Sequence, residues 1–370
     1  MPTTLIVSND FPPRVGGIES FVEQLCALLD HDVVVYTSGP PGAEVTDRDR
    51  GYPVIRDGSL LLPTPRVARR AAQLLRAYGA SRVLFGAAAP LGLLSPALRR
   101  AGAERLVALT HGHEVWWATL PGSRGLLQRI GDSVDHLTTI SDYTKQRIAP
   151  ALSPAARSRM LRLAPPVDPA VFRPRAAARA EEDPARAVAV GRLVAQKGFS
   201  TLVAAWAQVV AGWADPLLPE LMIVGDGPDR HRLERTVDRT GLGVTVRFGG
   251  ALPRTGVLAE LQRSDVFVLP VRTRLAGLNP EGLGLAALEA AACGLPVVVG
   301  RSGGAPETVR GGETGYVVAP ADVAALSRRL AWLLNKPVQA RAMGARGRAY
   351  VASRFGPDEA RATLHRALRL

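Results

Sequence analysis

"AVAVGRLVAQKGFSTLVAAWAQVV", Ala187 to Val210, begins the second half of the chain with three kinds of segment in close succession. Its opening apolar run does not alternate, which marks a strand buried on both faces; a polar, glycine-containing loop follows, and Leu202 to Val210 then repeats apolar residues at helical spacing. Strand, loop and helix in that order are the start of a parallel crossover unit. The chain opens the same way. "TTLIVSN" (Thr3 to Asn9) precedes Ile18, Phe21, Val22, Leu25, Leu28 and Leu29 at helical spacing, so the stretch at 187 restarts a pattern already run once.

Between the two starts, "DVVVYTS", "RVLFG", "RLVALTH" and "HLTTIS" read as further buried strands; after the second, "ELMIVGDGP", "VTVRFGG", "DVFVLPV" and "PVVVG" do the same. Helix-period segments such as Val257 to Leu261 separate them. The expected class is α/β, with two Rossmann-like, doubly wound parallel-sheet domains facing a central cleft. The expected boundaries are 1–168 for the first domain, 169–185 for a hinge after "APPVDPAVFRP", 186–350 for the second domain, and 351–370 for a helix returning to the first.

The 370 residues exceed what a single core usually holds. Cys26 and Cys293 are the two cysteines, far apart and inside apolar helical patterns, which argues against a disulfide framework or a zinc site and fits a reducing cytoplasm. The N-terminus lacks an export signal, and Glu289 interrupts the most apolar later run, so no membrane span is expected. The net charge of +13 is almost all arginine, lysine occurring only at Lys145, Lys197 and Lys336. Such a surplus suits polyanionic partners, and without a finger or RNA-binding signature the expectation is phosphorylated substrates or anionic lipid, not nucleic acid.

In parallel sheets ligands bind beyond the carboxyl ends of strands, so the loops after strands are the candidate sites. Gly16 and Gly17 precede a helix whose free N–H groups suit an anion, though such a pair is also an ordinary turn. Arg192 and Lys197 in "GRLVAQKGF" offer a planar fork and a point charge for a diphosphate. This loop is not a P-loop, because Gln196 stands where glycine must precede the lysine. "GDGPDR" puts Arg230 in place of the third dinucleotide-binding glycine, and "GLGLAA" (Gly282 to Ala287) does not follow a strand. The amides at Gly282, Gly284 and Leu285 can still face an anion.

Glu281 and Glu289, eight apart, are expected along one side of one helix, as acceptors for the hydroxyls of a sugar and a ribose. In "THGHEVWW", His111 and His113 stand beside Glu114 without the spacing of a metal site, and "DRD" at Asp47 to Asp49 lies in a polar loop. Metal-free chemistry is expected. Arg66, Arg69, Arg70 and Arg76 share a face of a helix opposite Val67, Ala71, Leu74, Leu75 and Tyr78; that face is either a membrane-surface contact or a solvated exterior.

Together "NDFPPRVGGIESF", "THGHEVWW", "ISDYTKQRIAP", "PVDPAVFRP", "GRLVAQKG", "IVGDGP" and the segment holding Glu281 and Glu289 resemble the retaining glycosyltransferases of family 4, which have the GT-B fold. The resemblance spans nearly the whole chain. It implies that Gly16 and Gly17 back the donor phosphates, Arg192 and Lys197 neutralise the diphosphate, Glu281 holds the transferred sugar, Glu289 holds the ribose, and His111 contacts the sugar beside the reacting carbon, with His113 its rival. Within the family, "LPGSRGLLQRIG" and "PVRTRLAGLNPEGLG" look most like the actinobacterial phosphatidylinositol monomannoside mannosyltransferases. That implies a nucleotide-sugar co-substrate, GDP-mannose, no cofactor, a phosphatidylinositol mannoside or similar glycolipid acceptor, and a place in the cytoplasm or on the inner membrane face. Three alternatives stay open: another nucleotide sugar with a soluble acceptor, a sugar-nucleotide epimerase of the same fold, and a non-catalytic nucleotide-binding protein.

Overall fold

The computed structural model describes residues 3–14, 16–39, 42–58, 60–175, 180 and 183–370. It divides into two units, Met1–Pro166 with Pro357–Leu370, and Val167–Gly356.

The first unit is built on seven parallel strands: β1 (Thr4–Ser8), β2 (Val33–Thr37), β3 (Val54–Arg56), β4 (Arg82–Phe85), β5 (Arg105–Thr110), β6 (His136–Thr139) and β7 (Met160–Arg162), in the order β3-β2-β1-β4-β5-β6-β7. In register, Leu5 pairs with Val34 and Val83, and Val7 with Tyr36 and Phe85. All of these side chains are buried, as a parallel sheet covered on both faces requires. The helix Pro65–Ala77 lays Val67, Ala71, Leu74 and Leu75 into the core. Tyr78 departs from the expected apolar face: it follows the last turn and is exposed.

The second unit has six parallel strands, β8 (Arg186–Val190), β9 (Glu220–Val224), β10 (Val246–Gly250), β11 (Val266–Leu269), β12 (Val297–Gly300) and β13 (Gly315–Val318), in the order β10-β9-β8-β11-β12-β13. Trp206, on the helix Phe199–Ala211, is its largest fully buried side chain and donates its indole N–H to Thr245 Oγ1 at 3.2 Å. In both sheets the order reverses next to the first strand, between β1 and β4 and between β8 and β11. Those reversals are where a doubly wound sheet opens a crevice at its carboxyl edge.

Three strands lie outside the sequence expectations, β3, β7 and β13, and each is a short edge strand with half-buried positions. The boundaries also differ. The helix Pro337–Phe355 runs past 350 within the second unit, and the break falls at Gly356. Phe172, assigned to the hinge, is fully buried in the second unit, with the Arg254 guanidinium 4.9 Å over its ring and its carbonyl accepting from Arg348 at 2.8 Å. Hinge residues 176–179, 181 and 182 lie outside the described residues. The helix Pro357–Leu368 packs in the first unit, where Arg82 and Arg105 donate to the carbonyls of Leu368 and Ala367 at 3.0 and 2.7 Å, cations at a helix carboxyl end.

Candidate active site

The expected site residues fall on strand-end loops of both units and on the first turns of the helices after them, except Glu289, which lies deeper in its helix. In the first, Gly16 and Gly17 form the start of the helix Gly17–Leu28, and no side chain caps its N-terminus. His111 follows β5 and is 8% exposed. Its Nε2 lies 2.5 Å from the Gly86 carbonyl oxygen, at the end of β4, so Nε2 carries the hydrogen and donates it, leaving Nδ1 as an acceptor. Burial pushes the imidazole below its ordinary pKa, with Glu114 and the Gly86 carbonyl pulling the other way. The ring is neutral and fixed. His113 is the more exposed of the two and stacks on His111 with centroids 6.2 Å apart.

Glu114, beside the two histidines, is fully buried, and its Oε2 accepts the backbone N–H groups of His111 and Gly112 at 2.9 and 3.2 Å. It pins the loop that presents His111. Asp47 of "DRD" accepts from Arg56 at 2.7 and 2.9 Å. Among the described residues no group of three or more His, Cys, Asp or Glu could hold a metal ion.

In the second unit the Lys197 ammonium donates to both carboxylate oxygens of Glu281, at 2.9 and 2.8 Å. These residues come from the loops after β8 and β11, the two strands flanking the reversal in strand order. Both side chains are largely buried, where a charge pair is screened less than on an open surface. The Lys197 stem runs over Gly191, and the Arg192 guanidinium is exposed with no partner among the described residues. One ammonium is thus held by a carboxylate, and one guanidinium is free for an anion.

Three loops lock this pair in place. Gln196 donates its side-chain amide to Pro280 O at 2.8 Å, while Arg272 donates its backbone N–H to Gln196 O at 2.8 Å and its Nε to Ala195 O at 2.8 Å. From the loop after β12, Gly304 N donates to Glu281 O at 2.9 Å and Ser302 Oγ accepts from Glu281 N at 3.3 Å. A Cβ at Gly303, whose φ is +56°, would sit 1.8 Å from Glu281 O, so this contact needs glycine. Gln196, the residue that rules out a P-loop, is therefore a strut beneath Glu281. The "GDGP" loop is braced on the same segment, Leu193 donating to Asp226 O and Asp229 to Leu193 O at 2.9 and 3.0 Å.

The two glutamates do not share a helix as expected. Gly284 is the N-cap at φ +102°, the helix spans Leu285–Ala292, and Glu281 precedes it in the loop, held by Ser302 and Gly304. Glu289 lies within the helix and its side chain makes no hydrogen bond or ion pair among the described residues; burial pushes its carboxyl up to about 7, against the pull of Arg254. The first-turn amides after Gly284 have no side-chain cap. Both cysteines are buried, with thiols pushed up to about 12, and so are unsuited to nucleophilic work. Sequence reading missed Gln196, Thr273, Ser302 and Gly303; lone hydroxyl and amide residues in loops carry no periodic signal.

Residues 173–350 match the model of glycosyl transferases group 1, and residues 15–171 match that of glycosyltransferase family 4. The chain is 44% identical to the GDP-mannose-dependent alpha-(1-6)-phosphatidylinositol monomannoside mannosyltransferase of Mycolicibacterium smegmatis, over 93% of this chain and 92% of that protein. It is 42% identical to the GDP-mannose-dependent monoacylated alpha-(1-6)-phosphatidylinositol monomannoside mannosyltransferase of Corynebacterium glutamicum, over 95% and 94%. Among solved structures, the sucrose-phosphate synthase of Thermosynechococcus elongatus superposes with a TM-score of 0.81 at 23% identity over 99% and 98% of the two chains. Anabaena HepE in complex with UDP gives 0.80 at 17% over 99% of each, so the fold is that of the GT-B glycosyltransferases. With its two halves matching the two domain models and its whole length matching these mannosyltransferases, the chain belongs to the group 1, family 4 glycosyltransferases.

Proposed function

We propose that this glycosyltransferase moves mannose from GDP-mannose to a phosphatidylinositol mannoside or similar glycolipid, with retention of configuration and without a metal or other cofactor. The reading of donor and acceptor rests on the two mannosyltransferases of those names, 44% and 42% identical over more than nine-tenths of the chain. The reaction class has one structural observation behind it: the Lys197–Glu281 pair beside the free Arg192 at the strand reversal of the second unit.

In this reading Lys197 and Arg192 take up the charge that develops on the diphosphate as the glycosidic bond breaks, assisted by the amides at Gly282, Gly284 and Leu285. Glu281 accepts hydrogen bonds from the mannose hydroxyls and Glu289 from the ribose. Gly16 and Gly17 bring the phosphate oxygens to a helix N-terminus that no side chain caps. Neutral His111, with Nδ1 as acceptor, receives a hydroxyl hydrogen of the transferred sugar. The acceptor hydroxyl attacks on the face from which GDP departs, and a departing phosphate oxygen takes its proton.

A membrane-surface role for the first unit belongs to the same reading. No described helix is long and apolar enough to cross a membrane. Arg66, Arg69 and Arg70 instead line, with Arg56, Asp57 and Gln73, a hollow of about 380 Å³, and Leu60 and Leu62, between Asp57 and Arg66 in sequence, are exposed. Asp57 pairs with Arg66, whereas the Arg70 guanidinium makes no hydrogen bond or ion pair among the described residues and meets Asp57 only through its field, which leaves it able to take an anionic head group.

A thermal-shift screen of GDP- and UDP-sugars, followed by transfer of labelled mannose from GDP-mannose to phosphatidylinositol monomannoside, tests the assignment. Labelled lipid product is expected; turnover with a UDP-sugar alone would move the donor assignment. Sedimentation with phosphatidylglycerol and phosphatidylcholine vesicles tests the surface, with binding to the anionic vesicles alone expected.

A further inference from the structure

The loop residues Thr273 and Ser302 form a hydroxyl pair, Oγ1 to Oγ at 2.8 Å, that the roles above do not use. Ser302 is 2% exposed and already accepts from the Glu281 backbone N–H. Two hydroxyls hold two hydrogens, and one of them closes the pair. If Thr273 donated, the Ser302 hydrogen would be left in a buried place with no acceptor among the described residues. With Ser302 donating, the remaining hydrogen is on Thr273, which is half-buried and can meet a ligand oxygen. Hydrogen-bond satisfaction thus orients the pair and leaves Thr273 a donor without an acceptor.

The surroundings fix where that donor works. The next-door backbone N–H, on Arg272, is bonded to Gln196 O, the residue before Lys197, and the Ser302 hydroxyl is bonded to the backbone of Glu281. Thr273 is therefore tied to the loops of both members of the ion pair. Glu281 offers acceptors and Thr273 a hydrogen. A sugar hydroxyl needs this combination, since it donates to one group while its oxygen accepts from the other.

We propose that Thr273 is a donor-binding residue whose hydroxyl donates to the same hexose hydroxyl that Glu281 accepts from, and that Ser302 is the positioning residue that fixes both. This rests on the reading of Glu281 as the sugar-binding carboxylate. Such a pair reads a hydroxyl in both directions, so it selects for the sugar part of the donor and not for its diphosphate.

Calorimetric titration of the full chain with GDP-mannose and with GDP, combined with transfer kinetics, tests it. Thr273→Val keeps the shape and deletes the hydroxyl; it is expected to weaken GDP-mannose about tenfold while leaving GDP unchanged. Thr273→Ser should restore the difference. Ser302→Ala should lower kcat as well as GDP-mannose affinity, and should cost less in a Thr273→Val background than in the wild type, because the two act through one contact. GDP-mannose affinity and turnover in Thr273→Val equal to wild type, or an equal loss for GDP, would overturn the proposal. If the wild type binds neither ligand, the donor assignment fails instead, and the comparison is made with the nucleotide sugar and bare diphosphate that the thermal-shift screen selects.

Discussion

The loops at the carboxyl edges of the two sheets are made differently. In the first unit the β5 loop is closed: His111 is buried and neutral, its ring bonded to Gly86 O, and the buried Glu114 carboxylate is used on backbone amides. In the second unit the β8 and β11 loops carry full charges, Lys197 on Glu281 and Arg192 free of partners among the described residues. The first arrangement can orient a neutral hydroxyl but cannot compensate a diphosphate; the second can. In the proposed reading the neutral loop, held by burial, meets hydroxyls alone, whereas the ionic loops, held by the Lys197–Glu281 contact, meet both the diphosphate and the sugar.

The largest test of this division is Lys197→Ala. It should lower kcat/KM by about a hundredfold or more, the usual effect of deleting one group that meets developing charge, while the melting temperature stays near that of the wild type. Glu281→Ala should be as severe in transfer. A loss traced to unfolding by circular dichroism would break the claim that the ionic loops serve binding and not the fold.

Gly303→Ala should follow. The new Cβ would stand 1.8 Å from Glu281 O at a φ of +56°, so the chain must shift there, at a cost of about 1–3 kcal/mol. Activity should fall with stability, because the displaced backbone is that of Glu281. Chemical denaturation alongside transfer kinetics measures both.

His111→Ala inverts the pattern of Lys197→Ala. Removing a buried ring that satisfies Gly86 O should cost about 1–3 kcal/mol in denaturant unfolding, whereas His113→Ala, at a more exposed position, should stay within about 0.5 kcal/mol. The same two variants separate the rivals in catalysis, with His111→Ala expected to show the greater loss of kcat. Acid should act through the same ring. Its folded pKa lies below the ordinary 6.5, so the unfolded chain binds the proton first, and stability is kept above pH 6.5 and lost as pH falls from there toward the folded value.

Much of this was legible in the sequence, and the misses have a common cause. Strands such as Val33–Thr37 and Val297–Gly300 are buried on both faces and announce themselves as unbroken apolar runs. The edge strands Val54–Arg56 and Met160–Arg162 are three residues long and half solvated, so no run marks them. Arg192 and Lys197 are marked by a scarce lysine five residues after an arginine, between a strand end and a helix, and Glu281 by a second glutamate eight positions on. Their spacing in sequence could not say that Gly284 delays the helix until Leu285, which puts Glu281 in a loop and Glu289 in a different environment. Thr273, Gln196 and Ser302 act through contacts with partners 21 to 84 positions away, and a one-dimensional pattern carries no trace of these.

Glu289 supplies the smallest effect and the finest test of the contrast. Burial raises its carboxyl to about 7 against the opposing pull of Arg254, so near neutral pH it is part protonated. Raising the folded pKa above the ordinary 4.5 means that its contribution to stability is fully present below pH 4.5 and is lost as pH rises through about 7. Ribose hydroxyls donate better to the ionised form, so donor affinity should move oppositely, rising through the same window by no more than tenfold per pH unit, about 1.4 kcal/mol. Calorimetry with GDP at about pH 6 and about pH 8 measures it, and Glu289→Gln, which cannot ionise, should flatten the profile while leaving the Lys197 contacts in place. An unchanged profile in Glu289→Gln would assign the titration to the phosphate itself and take the ribose role away from Glu289.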